Sequence, residues 1–571
     1  MAEQLYFSRD TRLIIQFRNT TDNTETGASL GLGDCWEVPI LDGYSFSQTT
    51  NTSEITLAEM ESSAGVSRRG RRMFTDSLAP AEWSFSTYVR PFDSKAGSAT
   101  PSGTRAAESS NTYVHAVEEV LWASMFGADT YSGGAFTRAT NAVSGPVVTP
   151  AAASSSIVPT ESNRAALHGM TLFFWIDTAT DNPLLYRLPE AVVNEVSIDF
   201  DVDGIATLNW SGFAKEVMDW SGKVKVKATT PIGTDTTVDG TSIDTGDVFI
   251  DTANAQGRVF KIVKVDPGAS SSSACTVTQA IDEGTASTKN FIRNRLTSVD
   301  IETADGADKV STIFPGSYAT ISAIDNTNKV FTTSTAHGLT TGDQVYISGC
   351  TGNTVPNTTH LFVRVGDETS TYNGGTNATT EFALFGTKAQ AENLGSATGL
   401  HSATYTGSYD ANSGTVANGK YGLTLTGGSF NIANNITYLV PEELGAINKP
   451  LEHVTGTRTS TGNATCYLTL EDSDLTSGTS RQFFNDLVST GAMAKVVNKF
   501  KVTMHIGGSA ATGNATDPAL KIEFPTAHIE VPTHQVEDVI SMETNFQALP
   551  TDFGTANEIT ALTYYPVDDY A

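Results

Sequence analysis

The sequence predicts a mainly β protein, and three observations carry that prediction. Glycine, threonine, serine and asparagine are abundant and only 17% of the residues are charged, a mixture typical of many short strands joined by turns. Apolar and polar residues alternate with a period of two in residues 83–88, as in a strand buried on one face. The stretch 43–60 also returns without a gap at residues 427–444, which indicates two copies of one domain.

The repeat extends beyond this stretch, because predicted elements recur in the same order. Residues 83–88 match 465–470, residues 171–176 match 500–506, and residues 202–213 match 536–546. A helix is predicted in each copy, at residues 111–126 and 480–488. The identical positions of the aligned stretch are Gly43 and Gly427, Ser45 and Ser429, Phe46 and Phe430, Asn51 and Asn435, and Glu59 and Glu443.

The strands of the first copy follow from local patterns. Residues 12–17 and 35–41 predict strands on either side of a polar loop, and Asp42-Gly43 gives a turn signal. Residues 171–176 form an apolar strand, and residues 193–213 predict a hairpin that turns at Asp203-Gly204.

The first helix is predicted from a stripe of apolar residues. Val114, Val117, Leu121 and Met125 fall on one side of a helix over residues 111–126, and Gly127 can end it. The helix is therefore expected to lie against a sheet.

The extent of the repeat, and the two segments outside it, divide the chain into four parts. A chain of 571 residues predicts about three or four domains. We predict a first copy at residues 1–222, an inserted β module at 223–289, a second copy at 290–316 with 415–571, and a second inserted β module at 317–414. Both insertions are expected to project outward, because surface loops accept additions at little cost.

The charge balance argues against a protein that grips nucleic acid. The formal net charge is −28, from 35 basic and 63 acidic residues. Such a surface repels a phosphate backbone, which disfavours tight binding without excluding contact.

Cysteine spacing and hydropathy indicate neither a metal site nor a membrane protein. Cys35, Cys275, Cys350 and Cys466 are far apart without a CxxC pair, so no zinc site, redox pair or disulfide framework is predicted. The first ten residues lack a secretion signal, and the apolar run at 170–176 is far short of the roughly 20 residues of a membrane span. We expect synthesis in the cytosol and no membrane partner.

The motifs of enzyme chemistry are weak here. Residues 27–31 match GxSxG but lack the flanking strand and helix that expose a nucleophilic serine. Asp199, Asp201 and Asp203 imitate the start of a calcium loop, yet its twelfth position is Trp210 rather than glutamate. We predict no catalytic, cofactor or metal residues and no enzyme. Strand alternation explains the aspartates, with Ile198 facing the core.

Several motifs of the first copy resemble the tail tube proteins of tailed bacteriophages. They are Ser67-Arg68-Arg69 through Arg72, Phe74, residues 76–78, Pro80-Ala81 and the strand at 83–91, followed by a helix. The ending of the second copy, residues 538–553, is similar to the closing strand of those proteins. The two copies cover about two thirds of the chain.

The resemblance implies a β-sandwich or barrel with a flanking α-helix in each copy. Sheets of such proteins join around a ring, and the rings stack into a hollow conduit for genome passage. Three chains with two copies each would give a trimeric ring with pseudo-sixfold symmetry. The implied partners are further copies of the chain, other tail proteins and DNA that passes without specific binding. The implied location is the virion tail, assembled in the host cytoplasm.

The resemblance also suggests roles for two groups of residues. Arg68, Arg69, Arg71 and Arg72 are candidate contacts between subunits or rings, with DNA contact as the alternative. Asp199 and Asp201 are candidates for a lumen-facing acidic surface, and a solvated or intersubunit face is equally compatible with them.

One insertion carries a resemblance of its own, and a second function stays open. The segment with His337, Gly342-Asp343, Val345 and Ile347 resembles a small β-barrel module that decorates phage structural proteins and is similar to one in ubiquitin-activating enzymes. Fold alone carries no enzymatic role across such a distance. The alternative function is a carbohydrate-binding or adhesive surface protein, favoured by the threonine, asparagine and glycine content and the appended modules.

Overall fold

A computed structural model gives the fold, and the mainly β prediction is confirmed. The residues that the structure describes are 6–17, 35–56, 71–94, 113–132, 135–139, 145–151, 154–160, 167–176, 184–201, 204–219, 224–227, 237–238, 241–242, 248–251, 260–264, 273–279, 297–303, 318–325, 327–339, 341–348, 350–352, 360–365, 377–386, 388–393, 400, 409–418, 420–441, 449–469, 480–488, 500–509, 517–536, 539–551, 555 and 557–565.

The first part of the chain forms what we call the N-terminal unit. A 3-10 turn at Ser8–Asp10 precedes it. Its elements are β1 Thr11–Phe17, β2 Cys35–Val38, β3 Ser45–Ser47, β4 Thr50–Thr56, β5 Arg71–Leu78, β6 Ala81–Tyr88, β7 Pro91–Ser94, β8 Tyr113–Ala116, α1 Glu119–Met125, β9 Thr130–Ser132, β10 Ala135–Arg138, β11 Gly145–Pro150, β12 Ser155–Ile157, β13 Met170–Ile176, β14 Leu184–Asp201, β15 Thr207–Ala214 and β16 Met218–Asp219.

Two groups of elements follow before the chain returns to a similar plan. The first group is β17 Val224–Lys227, β18 Thr237–Val238, β19 Thr241–Ser242, β20 Val248–Asp251, β21 Phe260–Lys264 and β22 Ser273–Gln279. After β23 Ser298–Thr303, the second group is β24 Tyr318–Asp325, β25 Val330–Thr333, β26 Gln344–Ser348, β27 His360–Val365, β28 Glu381–Phe385, α2 Lys388–Glu392 and β29 Gly414–Asn418.

The strand β23 and the remaining elements form what we call the C-terminal unit. These elements are β30 Lys420–Ala433, β31 Thr437–Leu439, β32 Glu452–Val454, β33 Thr459–Tyr467, α3 Ser480–Val488, β34 Phe500–Ser509, β35 Asp517–Ile529, β36 Thr533–Val536, β37 Ile540–Ala548 and β38 Ala561–Tyr564.

The two units share one cyclic order of antiparallel strand pairs. In the C-terminal unit the order is β23–β30–β33–β37–β35–β34 and back to β23. In the N-terminal unit it is β1–β2, then β3–β6–β15–β14–β13 and back to β1. The long strand β30 thus stands where the N-terminal unit has β2 and β3, which Pro39 separates. Proline donates no ladder hydrogen bond, which fits a break at that point.

The agreement extends to register irregularities. The pairing of β13 with β14 shifts between Met170 and Leu172, and the pairing of β34 with β35 shifts between Phe500 and Val502. The ladders place these two shifts at equivalent positions of the cyclic order. The predicted match of residues 83–88 with 465–470 is wrong by three residues, because the ladders place Ser84 opposite Ser45 and Asn463 opposite Ser429.

The predicted helix at residues 111–126 is wrong in its first half. Tyr113–Ala116 is the strand β8, which pairs with Pro91–Ser94, and the helix begins at Glu119. The apolar stripe is buried in either arrangement, so it did not separate the two. The predicted helix α3 and the hairpin of β14 with β15 are confirmed.

The cores differ in composition although the pairings agree. Five tryptophans, Trp36, Trp83, Trp122, Trp175 and Trp210, are buried in the N-terminal unit. The C-terminal unit fills the corresponding space with phenylalanine, methionine and isoleucine, among them Phe430, Phe500, Phe524, Met542 and Phe546. No tryptophan follows Trp220 in the sequence.

The two insertions are built differently. The strands β17, β20, β21 and β22 extend the sheet of the N-terminal unit, since β22 pairs in parallel with β2. The strands β24 to β29 instead form a closed barrel with its own core around Phe331, Val345 and Phe382. Within the described part of the chain, no helix is long and apolar enough to cross a membrane.

Candidate functional site

A strand-to-strand seam joins the two units into one sheet. Residues 195–201 of β14 pair antiparallel with residues 427–433 of β30, from Glu195 opposite Ala433 to Asp201 opposite Gly427. The amide of Asn431 donates a 2.7 Å hydrogen bond to Oε1 of Glu195 across this seam. We call this pairing the internal seam.

Polar side chains beyond the ladder reinforce the internal seam. The buried Asn434 donates through Nδ2 to the carbonyl oxygens of Met125 (3.0 Å) and Val193 (3.2 Å). The Tyr438 hydroxyl donates to the carbonyl oxygen of Glu190 at 2.7 Å. These bonds satisfy backbone carbonyls of the N-terminal unit, so leaving them unmade would cost stability.

The last described strand joins the units at a second place. The strand β38 lies between β12 of the N-terminal unit and β35 of the C-terminal unit. Tyr564 is fully buried; its hydroxyl accepts a 2.9 Å hydrogen bond from Trp122 Nε1 and donates a 2.5 Å hydrogen bond to Oε1 of Glu118. Burial raises the pKa of Glu118 to about 8 and holds the pKa of Tyr564 well above its ordinary value.

A row of uncharged polar side chains crosses the joined sheet. Consecutive strands place Ser86 opposite Asn209, Asn209 opposite Ser197, Ser197 opposite Asn431, Asn431 opposite Thr461, and Thr461 opposite Gln547. Ser86 donates to Oδ1 of Asn209 at 2.7 Å. The row therefore runs over three strands of each unit without interruption at the internal seam. We call the surface that carries it the polar face.

Neighbouring rows give the polar face its charge. One such row runs from Tyr88 through Thr207, Asp199, Ser429 and Asn463 to Asn545. Glu82, Glu195 and Glu543 also stand at alternating positions of this face. Within the segments paired in these rows (82–88, 195–201, 207–213, 427–433, 459–467 and 541–547), the alternating positions hold mostly hydroxyl, amide and carboxylate groups, together with Phe213, Gly427 and Ala433, and neither lysine nor arginine.

A cavity of about 340 Å³ opens on the polar face within the C-terminal unit. Its walls are mostly polar, with Asn431, Asn463, Asn545, Gln547, His528 and Glu530 among the lining residues. The groups that surround it offer hydrogen-bond donors and acceptors but no lysine or arginine.

Alternation explains why the face is polar. On β14, Ile198 and Phe200 are buried in the core while Asp199 and Asp201 are exposed. On β6, Trp83 and Phe85 are buried beneath Glu82, Ser84 and Ser86. One period-two pattern thus builds the core on one side and the polar face on the other.

Some of the residues singled out in the sequence lie in the described part of the structure, and others lie outside it. Asp199 and Asp201 lie at the end of β14 on the polar face, as the alternation predicted. Arg71 and Arg72 open β5, where they pair with Thr56 and Ile55 of β4. Arg68, Arg69, Asp203 and the GxSxG segment at 27–31 lie outside the described residues. The described residues contain no group of three or more His, Cys, Asp or Glu that could hold a metal ion.

The residues that form the internal seam were missed by sequence reasoning. Glu195 and Asn431 are separated by 236 residues, and neither belongs to a motif. The sequence does contain one relevant signal, the polar side chains at every second position of these strands. That signal predicted the position of Asp199 and Asp201 but did not indicate which strands pair.

Among the described strands that pair on one side only, two lie at equivalent places beside the polar face. The strand β3, equivalent to residues 429–431 of β30, pairs only with β6. The strand β36, equivalent to residues 197–200 of β14, pairs only with β37. Open edges present unpaired N–H and C=O groups that can add another strand.

Fold and surface together define a class of β protein that presents an unbroken polar sheet face between two open edges. Part of the chain is similar to "Tail tube protein pb6" of Escherichia phage T5, with 33% identity over 162 residues. The match covers 27% of this chain and 32% of that protein, so the chain spans about a third of the length of this relative. No protein-family model matches the chain.

Proposed function

We propose that the protein is a structural subunit of a phage tail tube, located in the virion tail, and not an enzyme. The polar face carries this proposal: the paired segments of six strands from two units present alternating side chains without lysine or arginine, suited to the wall of a conduit for a polyanion. The similarity of part of the chain to a phage tail tube protein supports the same function.

The proposal includes a duplicated tube domain. The shared cyclic strand order and the equivalent register shifts in β13 and β34 support it. In this proposal the internal seam is the interface between two neighbouring tube domains, and both domains belong to one chain.

Each ring of the proposed tube contains three chains and therefore six tube domains. Native mass spectrometry of assembled rings, with negative-stain electron microscopy, tests this. We expect hollow tubes or rings of three chains. Rings of six chains contradict the stoichiometry, and monodisperse monomers that bind glycans replace the function with the adhesive alternative.

The polar face is proposed to line the lumen, where Asp199 and Asp201 add negative charge. Arginines placed on it should convert a repellent wall into one that retains DNA, with a strong dependence on salt. The variant Ser197→Arg with Thr461→Arg tests this in assembled tubes. The matched control adds two arginines at Thr437 and Leu451, exposed residues of the β31 and β32 region outside that face. Equal DNA retention by both variants contradicts the lumen assignment.

The arginines of the first copy are proposed to contact neighbouring subunits or rings. The β4–β5 hairpin that carries Arg71 and Arg72 also exposes Met73 and Phe74, whose exposed fractions are 67% and 48%. Polymerisation after Arg68→Glu with Arg71→Glu should fall, because like charges replace attraction in an acidic protein. Normal polymerisation removes this role.

A further inference from the structure

The internal seam provides a template for a second seam that no single chain can form. It pairs residues 195–201 of β14 with residues 427–433 of β30. The equivalent of that β14 segment in the C-terminal unit contains β36, and the equivalent of that β30 segment in the N-terminal unit contains β3. Each of these two strands pairs on one side only in the described sheet.

The equivalences are fixed by ladders inside each unit. Ser197 lies opposite Asn209 of β15, and Thr533 lies opposite Glu543 of β37, at the same place in the cyclic order. Asn431 lies opposite Thr461 of β33, as Ser47 lies opposite Glu82 of β6. Thr533 therefore corresponds to Ser197, and Ser47 corresponds to Asn431.

We infer that β36 of one chain pairs antiparallel with β3 of a second copy of this chain, with Thr533 opposite Ser47. The template then places His534 opposite Phe46 and Gln535 opposite Ser45, as it places Ile198 opposite Phe430 and Asp199 opposite Ser429. This inference rests on the proposed ring and supplies the pairing and register of the contact that closes it.

The chemistry of both edges fits this register. Ser45 and Ser47 are exposed on the polar face, and so are Thr533 and Gln535, whose amide donates to Glu543 at 3.3 Å. The seam would therefore continue the polar face from one chain to the next. No lysine or arginine enters it at these positions.

Exposed apolar side chains next to β36 support the inference that another chain covers this edge. Val531 and Val539 flank the strand with exposed fractions of 53% and 57%. The imidazole of His534 is exposed on one side while its ring packs edge-on against Phe484 of α3, with 4.3 Å between centroids. In the inferred seam Phe46, which is half-buried in the single chain, covers His534.

The contact is head to tail, because different edges of two identical chains meet. A head-to-tail contact closes into a ring when its rotation divides a full turn. If the second seam repeats the geometry of the internal seam, each chain contributes two equal steps of the turn, so the proposed ring of six tube domains closes with three chains. A three-chain ring therefore alternates internal and external seams.

Disulfide trapping in assembled tubes tests the register. Paired residues of an antiparallel ladder have Cα atoms about 4.5–5.5 Å apart, within the range a disulfide accepts. The variant Ser47→Cys with Thr533→Cys should give chain-to-chain disulfides between positions 47 and 533, located by peptide mass spectrometry. The matched control Ser47→Cys with Gln535→Cys is displaced by two residues, about 7–8 Å, and should crosslink at least tenfold less. Ser197→Cys with Asn431→Cys should close a disulfide within one chain.

Each result has a distinct meaning. Tubes that form but crosslink preferentially at positions 47 and 535, or at neither pair, overturn the inferred seam and leave the proposed function standing. Absence of rings and tubes for the unmodified protein overturns both. If the cysteine variants do not assemble, hydrogen exchange measured on the unmodified protein tests the inferred seam instead. Amides of Ser45–Ser47 and Thr533–Val536 must gain protection on assembly, and unchanged exchange there contradicts the seam.

Discussion

The N-terminal and C-terminal units each pack an aromatic ring over a glycine at the same place in the sheet, but the ring and the glycine lie on opposite strands of the pair in the two units. In the N-terminal unit the ring of Trp83 lies over Gly212 of the neighbouring strand, which has no room for a Cβ. At the equivalent pair in the C-terminal unit, the ring of Phe546 lies over Gly462. The ring has moved to the other strand of the pair, while the register is the same.

The exchange shows what the shared topology requires. The pair must contain one ring and one glycine, since two rings would overfill the layer and two glycines would leave a cavity. Which strand carries the ring is set by local backbone. A Cβ at residue 212 would lie 2.1 Å from the carbonyl oxygen of Val192, whereas the nearest backbone atom to a Cβ at residue 462 is the oxygen of Ser429 at 3.2 Å.

Reversing the pair in each unit should therefore give unequal results, and the largest effect is expected in the N-terminal unit. Trp83→Gly with Gly212→Phe should destabilise by more than about 3 kcal/mol, because the Val192 carbonyl cannot yield to a side chain. Gly462→Phe with Phe546→Gly should stay within about 2 kcal/mol of the unmodified protein. Urea unfolding checks both, by tryptophan fluorescence for the N-terminal unit and circular dichroism for the C-terminal unit. Equal costs would contradict the backbone explanation.

The helices of the two units differ in how deeply they are buried. All residues of α1 are buried, and Glu118 before it is buried against Tyr564 of the C-terminal unit. On α3, by contrast, Arg481 and Val488 are exposed. Burial raises the pKa of Glu118 to about 8, although the hydrogen bond with Tyr564 and the charge of Arg90 both act to lower it.

This difference predicts a pH-dependent contribution to stability from Glu118, the residue that precedes α1. The folded pKa of Glu118 is raised from 4.5 to about 8, so the folded state binds the proton more tightly than the unfolded state. Its stabilising contribution is complete below about pH 4.5 and is lost as the pH rises to about 8, by at most about 1.4 kcal/mol per pH unit. Glu118→Gln should flatten this slope in thermal unfolding between pH 5 and 9.

The control for this measurement is Glu82→Gln, which removes an exposed carboxylate from β6. Its pH profile should follow that of the unmodified protein. A Glu118→Gln profile with the original slope would show that this carboxyl group does not titrate in that range.

Sequence patterns predicted the strands better than their partners. The period-two alternation of residues 83–88 and the turn at Gly204 placed β6 and the hairpin of β14 with β15 correctly. The apolar stripe predicted a helix that begins too early; it comprises Val114, Val117, Leu121 and Met125. Residues on every side of this segment are buried, so the sequence lacks the alternation of apolar and polar residues that distinguishes a strand from a helix.

The predicted match between the two units is wrong at β33 for a related reason. The aromatic residues of β6 correspond to Gly462 and Ala464, so the two strands share no side-chain pattern that would indicate their register. The internal seam lay beyond such reasoning altogether, because Glu195 and Asn431 become neighbours only after both units fold.

The smallest change in stability is expected at Asn431 and at its equivalent Ser47, where the two units carry different residues. Asn431 bonds Glu195 across the internal seam, and its equivalent at the open edge is Ser47. Asn431→Ser removes the 2.7 Å hydrogen bond from a half-buried carboxylate and should cost about 1–2 kcal/mol in the free energy of unfolding. The reverse change Ser47→Asn, at an exposed position, should stay within about 0.5 kcal/mol in the isolated chain. A loss at Ser47→Asn equal to that at Asn431→Ser would mean that the two edges are already equivalent before any second chain binds.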